Sequence, residues 1–431
     1  MQNLLTYSLY AFLALAAITL LLYIPRIVCW FGAFAKPEHP INEKQNKFAI
    51  LVPARNEAVI IKQILNCFKK QTYDAKNFNV FVIVKEENDE TINICKEYGY
   101  NSFVAPDQTN KADALDACFK ALLAKEDNDY DDYIVFDADT WLDKKCLEEF
   151  NNATATGRDI ITAKKLVKNY SLPKENRGIT SLTNGFLWTM MDQLGNKWKS
   201  KHGYRLMTIT CGILFKKEVV EELKGFPFDQ TLTEDMELMY HSALQGYTEY
   251  YAENAIIYME EAPTMKVTNI RRNRWIQGYV GAKRLYSKRL RKAANSSKKK
   301  MEYYYLIGIY HGFVIYTVPL LFGVFSLVLA TILFFTGSTL VVQALLNVLY
   351  AFAYTYLTLF VLGIFVIASD SKDIKTSFWQ KVKLALYHPI SYMRYTNVVL
   401  KALFGSHPTE WQQIERNVTE AEEIPETKKA D

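Results

Sequence analysis

The sequence predicts an α/β protein with a doubly wound, largely parallel sheet, held at a membrane by about three transmembrane helices. Two observations carry this reading. Between about Lys47 and Tyr258, short apolar runs alternate with helical patterns, the signature of strands and covering helices. Long charge-free blocks flank that region on both sides. With 431 residues, 50% hydrophobic and 23% charged, the composition excludes disordered and collagen-like classes. A net charge of +5 is too mild to predict a nucleic-acid partner. The six cysteines form no CxxC pair and no cluster with zinc spacing, so they read as reduced, buried thiols of a cytosolic domain.

In chain order, the first apolar block runs from Leu4 to Phe34, and Ser8 to Ile24 carries no charge, enough for one span of about 20 residues. Its first base, Arg26, follows the apolar stretch, whereas a signal peptide is preceded by positive charge. The block therefore reads as a retained anchor with Arg26 and Lys36 inside. Phe48–Val52, Phe81–Val84 and Tyr133–Phe136 read as buried strands. Val59, Ile60, Ile64, Leu65 and Phe68 line one helix face, and Ala114, Leu115, Cys118, Ala121 and Leu122 another. A basic run from Lys283 to Lys300 then leads into two further apolar blocks, Tyr303–Phe335 and Leu340–Ala368. The base-rich side agrees in orientation with the anchor and puts the α/β region in the cytosol of a multi-pass cell-membrane protein. Beyond Lys372, Phe378, Trp379, Val382 and Leu386 repeat at helical spacing, which predicts a helix in the membrane surface, ended by Pro389 and followed by an acidic tail after Glu415. The expected organisation is residues 1–35 anchor, 46–265 α/β domain, 266–300 basic interface helix, 301–370 two spans, and 371–431 amphipathic helix and tail.

Three groups of residues carry candidate chemistry. Asp137-Ala-Asp139 follows the strand Tyr133–Phe136, and ligands of open α/β sheets bind beyond the carboxyl ends of strands. Two carboxylates on one turn suit a hard divalent cation shared with phosphate oxygens; they also suit a solvated turn. Thr233-Glu-Asp235 supplies a general base for an attacking hydroxyl, or a helix N-cap before Met236 and Leu238. Arg271, Arg272, Arg274 and Trp275 open a basic amphipathic helix running through Leu285, which suits a membrane surface and equally a diphosphate gripped by guanidinium groups. The sequence contains no GxxxxGK[ST], HExxH, GxSxG or GxGxxG pattern, so those chemistries are excluded as motif-borne functions.

Taken together, Val52-Pro-Ala-Arg-Asn-Glu57, Asn110-Lys-Ala-Asp-Ala-Leu115, Asp137-Ala-Asp139, Thr210-Cys-Gly212, Thr233-Glu-Asp235, Glu261-Ala-Pro263 and Arg271 to Trp275 resemble the membrane-embedded family 2 glycosyltransferases, among them poly-N-acetylglucosamine, hyaluronan, chitin and cellulose synthases. The resemblance covers roughly Lys47 to Tyr286. It implies a GT-A fold and inverting transfer of a hexose or N-acetylhexosamine from a UDP-sugar. By that pattern Pro53, Ala54 and Glu57 line the nucleotide pocket, Lys111 lies beside the diphosphate, and Asp137 and Asp139 hold UDP with Mg2+ or Mn2+. Asp235, next to Glu234, is the base; Thr210, Cys211 and Gly212 floor the acceptor site; Arg274 and Trp275 gate diphosphate and acceptor sugar.

Two departures stand out. The family's further aspartate after the second strand is replaced here by a turn in which Glu86 or Glu87 is the candidate. The arginine-tryptophan motif starts with Arg271 where polymer-making members carry Gln, which puts processivity in question. The acceptor is therefore expected to be a growing cell-surface polysaccharide or, alternatively, a membrane lipid, with a homo-oligomer or an accessory membrane subunit as a further expected partner. A catalytically silent membrane scaffold is the rival from another class.

Overall fold

The computed structural model describes residues 1–171, 178–262, 264–308 and 313–404. Pro263 of the Glu261-Ala-Pro263 motif and the acidic tail after Glu415 lie outside the described residues.

Eight strands form one mixed sheet in the order β3-β2-β1-β4-β7-β6-β8-β5. They are β1 (Phe48–Pro53), β2 (Phe78–Val84), β3 (Asn101–Val104), β4 (Asp132–Val135), β5 (Trp141–Leu142), β6 (Ile160–Val167), β7 (Ile213–Lys216) and β8 (Glu249–Met259). The first four run parallel, with Ile50 opposite both Val80 and Ile134. Their continuous apolar runs are explained by burial on both faces. Ile50, Val52, Ile134 and Phe136 face helices Ile61–Lys69 and Cys146–Thr154, while Ala49, Leu51, Tyr133 and Val135 face helix Lys111–Leu123.

The sheet is not parallel throughout. β7 is antiparallel to both β4 and β6, because the chain enters it from the Thr210-Cys-Gly212 turn instead of through a crossover helix. Gly212 makes that reversal feasible. Its φ is +65°, and a Cβ there would lie 2.5 Å from Ile257, so only glycine fits. Its N–H donates to Val135 and its carbonyl accepts from Ala163.

Three helices are long and apolar enough to cross a membrane: Gln2–Gly32, Val318–Phe335 and Val341–Ser369. The basic helix extends over Met265–Ser296, beginning a turn and a half before Arg271, where the Thr264 hydroxyl accepts the Val267 N–H. Two expectations are corrected. Val59 is 68% exposed and precedes its helix. Pro389 does not end the last helix, which runs over Phe378–Phe404. Proline forfeits one intrahelical bond, but here the helix is held from outside: Tyr356 donates to the Leu386 carbonyl at 2.9 Å, and His388 packs against Phe186 and closely over Gly363. Phe378 and Trp379 at its start remain exposed.

A buried link ties the sheet to the last span. Lys164 on β6 pairs with Asp370 at 2.7 Å and Asp373 at 2.6 Å, just beyond the helix Val341–Ser369. Thr189 donates to the other oxygen of Asp370.

Candidate active site

The carboxyl ends of β1 and β4, the helix N-termini beyond them and the basic helix enclose one cavity of about 2020 Å³. Asp137 and Asp139 leave β4 with their side chains toward it, while Ala138 between them is buried. The segment is a tight turn just past β4, closed by the Thr140 N–H donating to the Asp137 carbonyl at 3.0 Å.

Lys111 reaches the same place from another segment. A capping box starts its helix: the Asn110 side chain accepts the Asp113 N–H at 3.0 Å, and Asp113 accepts the Asn110 N–H at 3.3 Å. This fixes Lys111 in the first turn. Its Nζ lies 2.5 Å from Asp137 Oδ1, 2.9 Å from Thr210 Oγ1 and 3.5 Å from Glu234 Oε1. The Thr210 hydroxyl in turn donates to Glu234 at 2.6 Å. Four sequence motifs thus meet in one hydrogen-bonded chain.

Thr233 is the N-cap residue of helix Glu234–Gln245, although its side chain makes no capping bond. The cap and base readings coexist: the turn starts a helix and puts Glu234 and Asp235 on the cavity. Burial opposes the charge on Lys111, but Asp137 and Glu234 outweigh it and raise its pKa. Burial likewise pushes Glu234 up, yet Lys111 and the Thr210 hydroxyl bring it below the ordinary glutamate value. Asp235 shifts the other way. Burial, then the Glu234 charge beside it, pushes it up to about 7. The two adjacent carboxyls are thus driven apart in proton affinity by their surroundings.

On the opposite wall, Trp275 meets Trp188 edge-on at 6.0 Å, and the Arg272 and Arg271 guanidiniums lie 4.9 and 5.3 Å from its ring. Trp188 donates to Glu261 at 2.8 Å, and Arg271 donates to the Glu260 carbonyl at 3.0 Å. Arg274 also lines the cavity.

The sequence matches the family described as Glycosyl transferase family group 2 over residues 134–367, more than half of the chain and most of this site. The chain belongs to that family. It is also 26% identical over 242 residues to the Probable glycosyltransferase YdaM of Bacillus subtilis (strain 168), an alignment spanning 54% of this chain and 55% of that one. Among solved structures, the Mannosyltransferase PcManGT from Pyrobaculum calidifontis, in complex with GDP-Man and Mn2+, superposes with a TM-score of 0.50 at 16% identity, covering 91% of this chain and 100% of that one. S. aureus TarS 1–349 in complex with UDP-GlcNAc aligns with a TM-score of 0.41 at 14% identity over 81% of this chain and 92% of that one. By the family match and the PcManGT superposition, the α/β core has the GT-A fold.

Of the residues singled out in the sequence, Pro53, Glu57, Lys111, Asp137, Asp139, Thr210, Cys211, Glu234, Asp235, Arg274 and Trp275 line the one cavity. Ala54 is buried beneath it and Gly212 lies behind Cys211. Glu86 is exposed and does not line the cavity. In the turn after β2 it is Asp89 that faces the β1 loop, accepting the Asn56 N–H at 3.2 Å and the Thr91 N–H at 2.9 Å. The acidic string Glu86 to Glu90 gave no signal separating the two, because only the turn geometry does so. Among the described residues, no three His, Cys, Asp or Glu side chains gather as metal ligands. Asp137 and Asp139 fit a divalent cation only as the protein's share of a shell completed by phosphate oxygens and water.

Proposed function

We propose that the protein transfers a hexose or N-acetylhexosamine from a nucleotide diphosphate sugar to a hydroxyl of a membrane-associated acceptor, with inversion and with Asp235 as general base. One observation carries the reading: Asp137, Asp139, Glu234 and Asp235, from distant segments, line a common cavity, and Lys111 and Thr210 join Asp137 to Glu234 within it.

In this reaction the acceptor O–H gives its proton to Asp235 as its oxygen bonds to the anomeric carbon. The bond from that carbon to the diphosphate oxygen breaks, and the nucleoside diphosphate leaves with the electron pair. Asp235 is suited to the task because its pKa near 7 combines basicity with a substantial deprotonated fraction at neutral pH. Burial raises that value first, and Glu234, held ionised by Lys111, adds to it by its charge. Lys111 and Arg274 offer preorganised positive charge to the departing diphosphate. Asp137 and Asp139 would hold Mg2+ or Mn2+, which when bound neutralises phosphate charge. Trp275, stiffened by Trp188 and flanking guanidiniums, offers a flat face to the acceptor sugar.

The donor is expected to be a UDP-sugar by the motif resemblance, while a structural neighbour carries GDP-Man, so both nucleotides belong in the test. The α/β region faces the cytosol by the charge bias around the spans. A panel of radiolabelled UDP-sugars and GDP-mannose, incubated with the full chain in membranes, separates the acceptors. Polymer growing without added acceptor supports a synthase; label confined to the organic phase supports glycolipid formation. Absence of transfer from every donor contradicts the reading.

A further inference from the structure

The cavity extends well beyond the aspartates. Its far wall is apolar and membrane-borne: Leu320, Leu321 and Val324 from one span and Val348 and Phe352 from the next. Leu321, Val324 and Phe352 are each more than half exposed, so this wall opens sideways toward the bilayer interior. A purely aqueous substrate gains nothing from such a surface.

Between the apolar wall and the sugar site stands Arg26. The charge-free residues before it, 2–25, make about 36 Å of helix at 1.5 Å per residue, more than the ~30 Å of bilayer hydrocarbon. Arg26 therefore sits at the headgroup level. It does not snorkel outward: it lines the cavity, and its buried Nε has no hydrogen-bond partner. Among the described residues no carboxylate lies within ion-pair distance of it. The rest of the guanidinium is hydrogen-bonded to the Tyr23 side chain and lies beside two rings, Tyr23 at 5.6 Å and Tyr305 at 4.9 Å. A second cation, Lys199, approaches the same Tyr305 ring at 4.3 Å and also lines the cavity. Glu302, on the helix that carries Tyr305, is engaged by the Arg205 N–H. Two cations facing a cavity with no anion between them make a site for an anion brought by a ligand. On the basic helix, Tyr279 lines the cavity four residues beyond Trp275, about 6 Å along the axis, so the cavity is continuous from the acceptor-sugar face toward this site.

We propose that Arg26 and Lys199 form a phosphate site at the membrane rim of the cavity, which holds the headgroup phosphate of an anionic lipid whose chains lie along the apolar wall. The headgroup's free hydroxyl then points on toward Asp235. The inference rests on the transfer reading only in making this lipid the acceptor; the binding itself stands apart from turnover.

The test is equilibrium binding to the full chain in mixed micelles with three probes: dioleoyl-phosphatidylglycerol, dioleoylglycerol, which lacks the phosphate, and glycerol 3-phosphate, which lacks the chains. The phosphatidylglycerol is expected to bind at least tenfold tighter than either. Arg26→Gln is expected to lose at least tenfold of that preference, while Arg26→Lys keeps most of it and both still bind nucleoside diphosphate. If Arg26→Gln does not fold, as judged by lost nucleotide binding, Lys199→Gln is expected to show a several-fold loss. The proposal is overturned if dioleoylglycerol binds equally well, if glycerol 3-phosphate competes at equal affinity, or if the folded variants bind like the wild type. A protein that binds the lipid but transfers no sugar leaves this site standing and removes the transfer reading; one that transfers sugar but ignores the lipid does the reverse.

Discussion

Gly278 and Thr233 touch without room for another atom: a Cβ on Gly278 would fall 2.3 Å from the Thr233 hydroxyl. The pair locks the basic helix against the turn that carries Glu234 and Asp235. The spacing between the arginine wall and the carboxylates is therefore set by a missing side chain.

Gly278→Ala must push the helix and the turn apart. A misplacement on the order of 1 Å in a catalytic constellation costs up to about a hundredfold in rate. The expected outcome is a kcat reduced by ten- to a hundredfold with donor affinity little changed, read by steady-state transfer. An alanine variant with wild-type kcat contradicts this role.

The pH dependence follows from Asp235. Only its deprotonated form accepts the acceptor proton, and its pKa is raised to about 7 by burial and then by Glu234. The rate is expected to fall about tenfold per unit below that value and to level off above it. Glu234→Gln removes the negative neighbour, so the Asp235 pKa drops and the acidic limb moves to lower pH. A limb that stays in place shows that some other group titrates.

Among the described residues, Lys111 is the cation that pairs with both Asp137 and Glu234. Lys111→Met leaves both carboxylates facing each other and removes a charge-assisted donor worth about 1.5–3 kcal/mol. Donor binding by calorimetry is expected to weaken by about ten- to a hundredfold. Unchanged affinity removes Lys111 from the diphosphate site.

Much of this site was legible because its motifs lie at strand ends and helix starts, where local sequence fixes position. Phe48 to Val52 and Tyr133 to Val135 announce buried strands by unbroken apolar runs, and Asn110 with Asp113 announces the helix that presents Lys111. Other features depend on what lies across space. The antiparallel β7 follows from a turn and not from any period in its four residues. Pro389 stays helical because Tyr356 and the last span hold its neighbours. Asp89 meets the β1 loop through the Asn56 N–H it accepts, a contact that only the turn geometry reveals. Arg26 reads in sequence as a topological charge, and its facing the cavity is visible only once Tyr305 and Lys199 are beside it.

The Lys164–Asp370–Asp373 link has a stability signature. Lys164 and Asp370 are 5% and 3% exposed, and truncating one member of such a pair leaves an unpaired buried charge at about 3–5 kcal/mol. Lys164→Met is expected to lower the melting temperature strongly, and adding Asp370→Leu is expected to recover much of the loss. A double variant no better than the single shows that the charges are not what matters there.

The proposed chemistry turns on whether Asp235 removes the acceptor proton. The direct measurement is sugar transfer by the full chain and by Asp235→Asn, with donor affinity measured in parallel. The expected result is a loss of about 10²–10⁴ in rate with donor affinity within a few-fold of wild type. A variant that transfers sugar at the wild-type rate contradicts the mechanism.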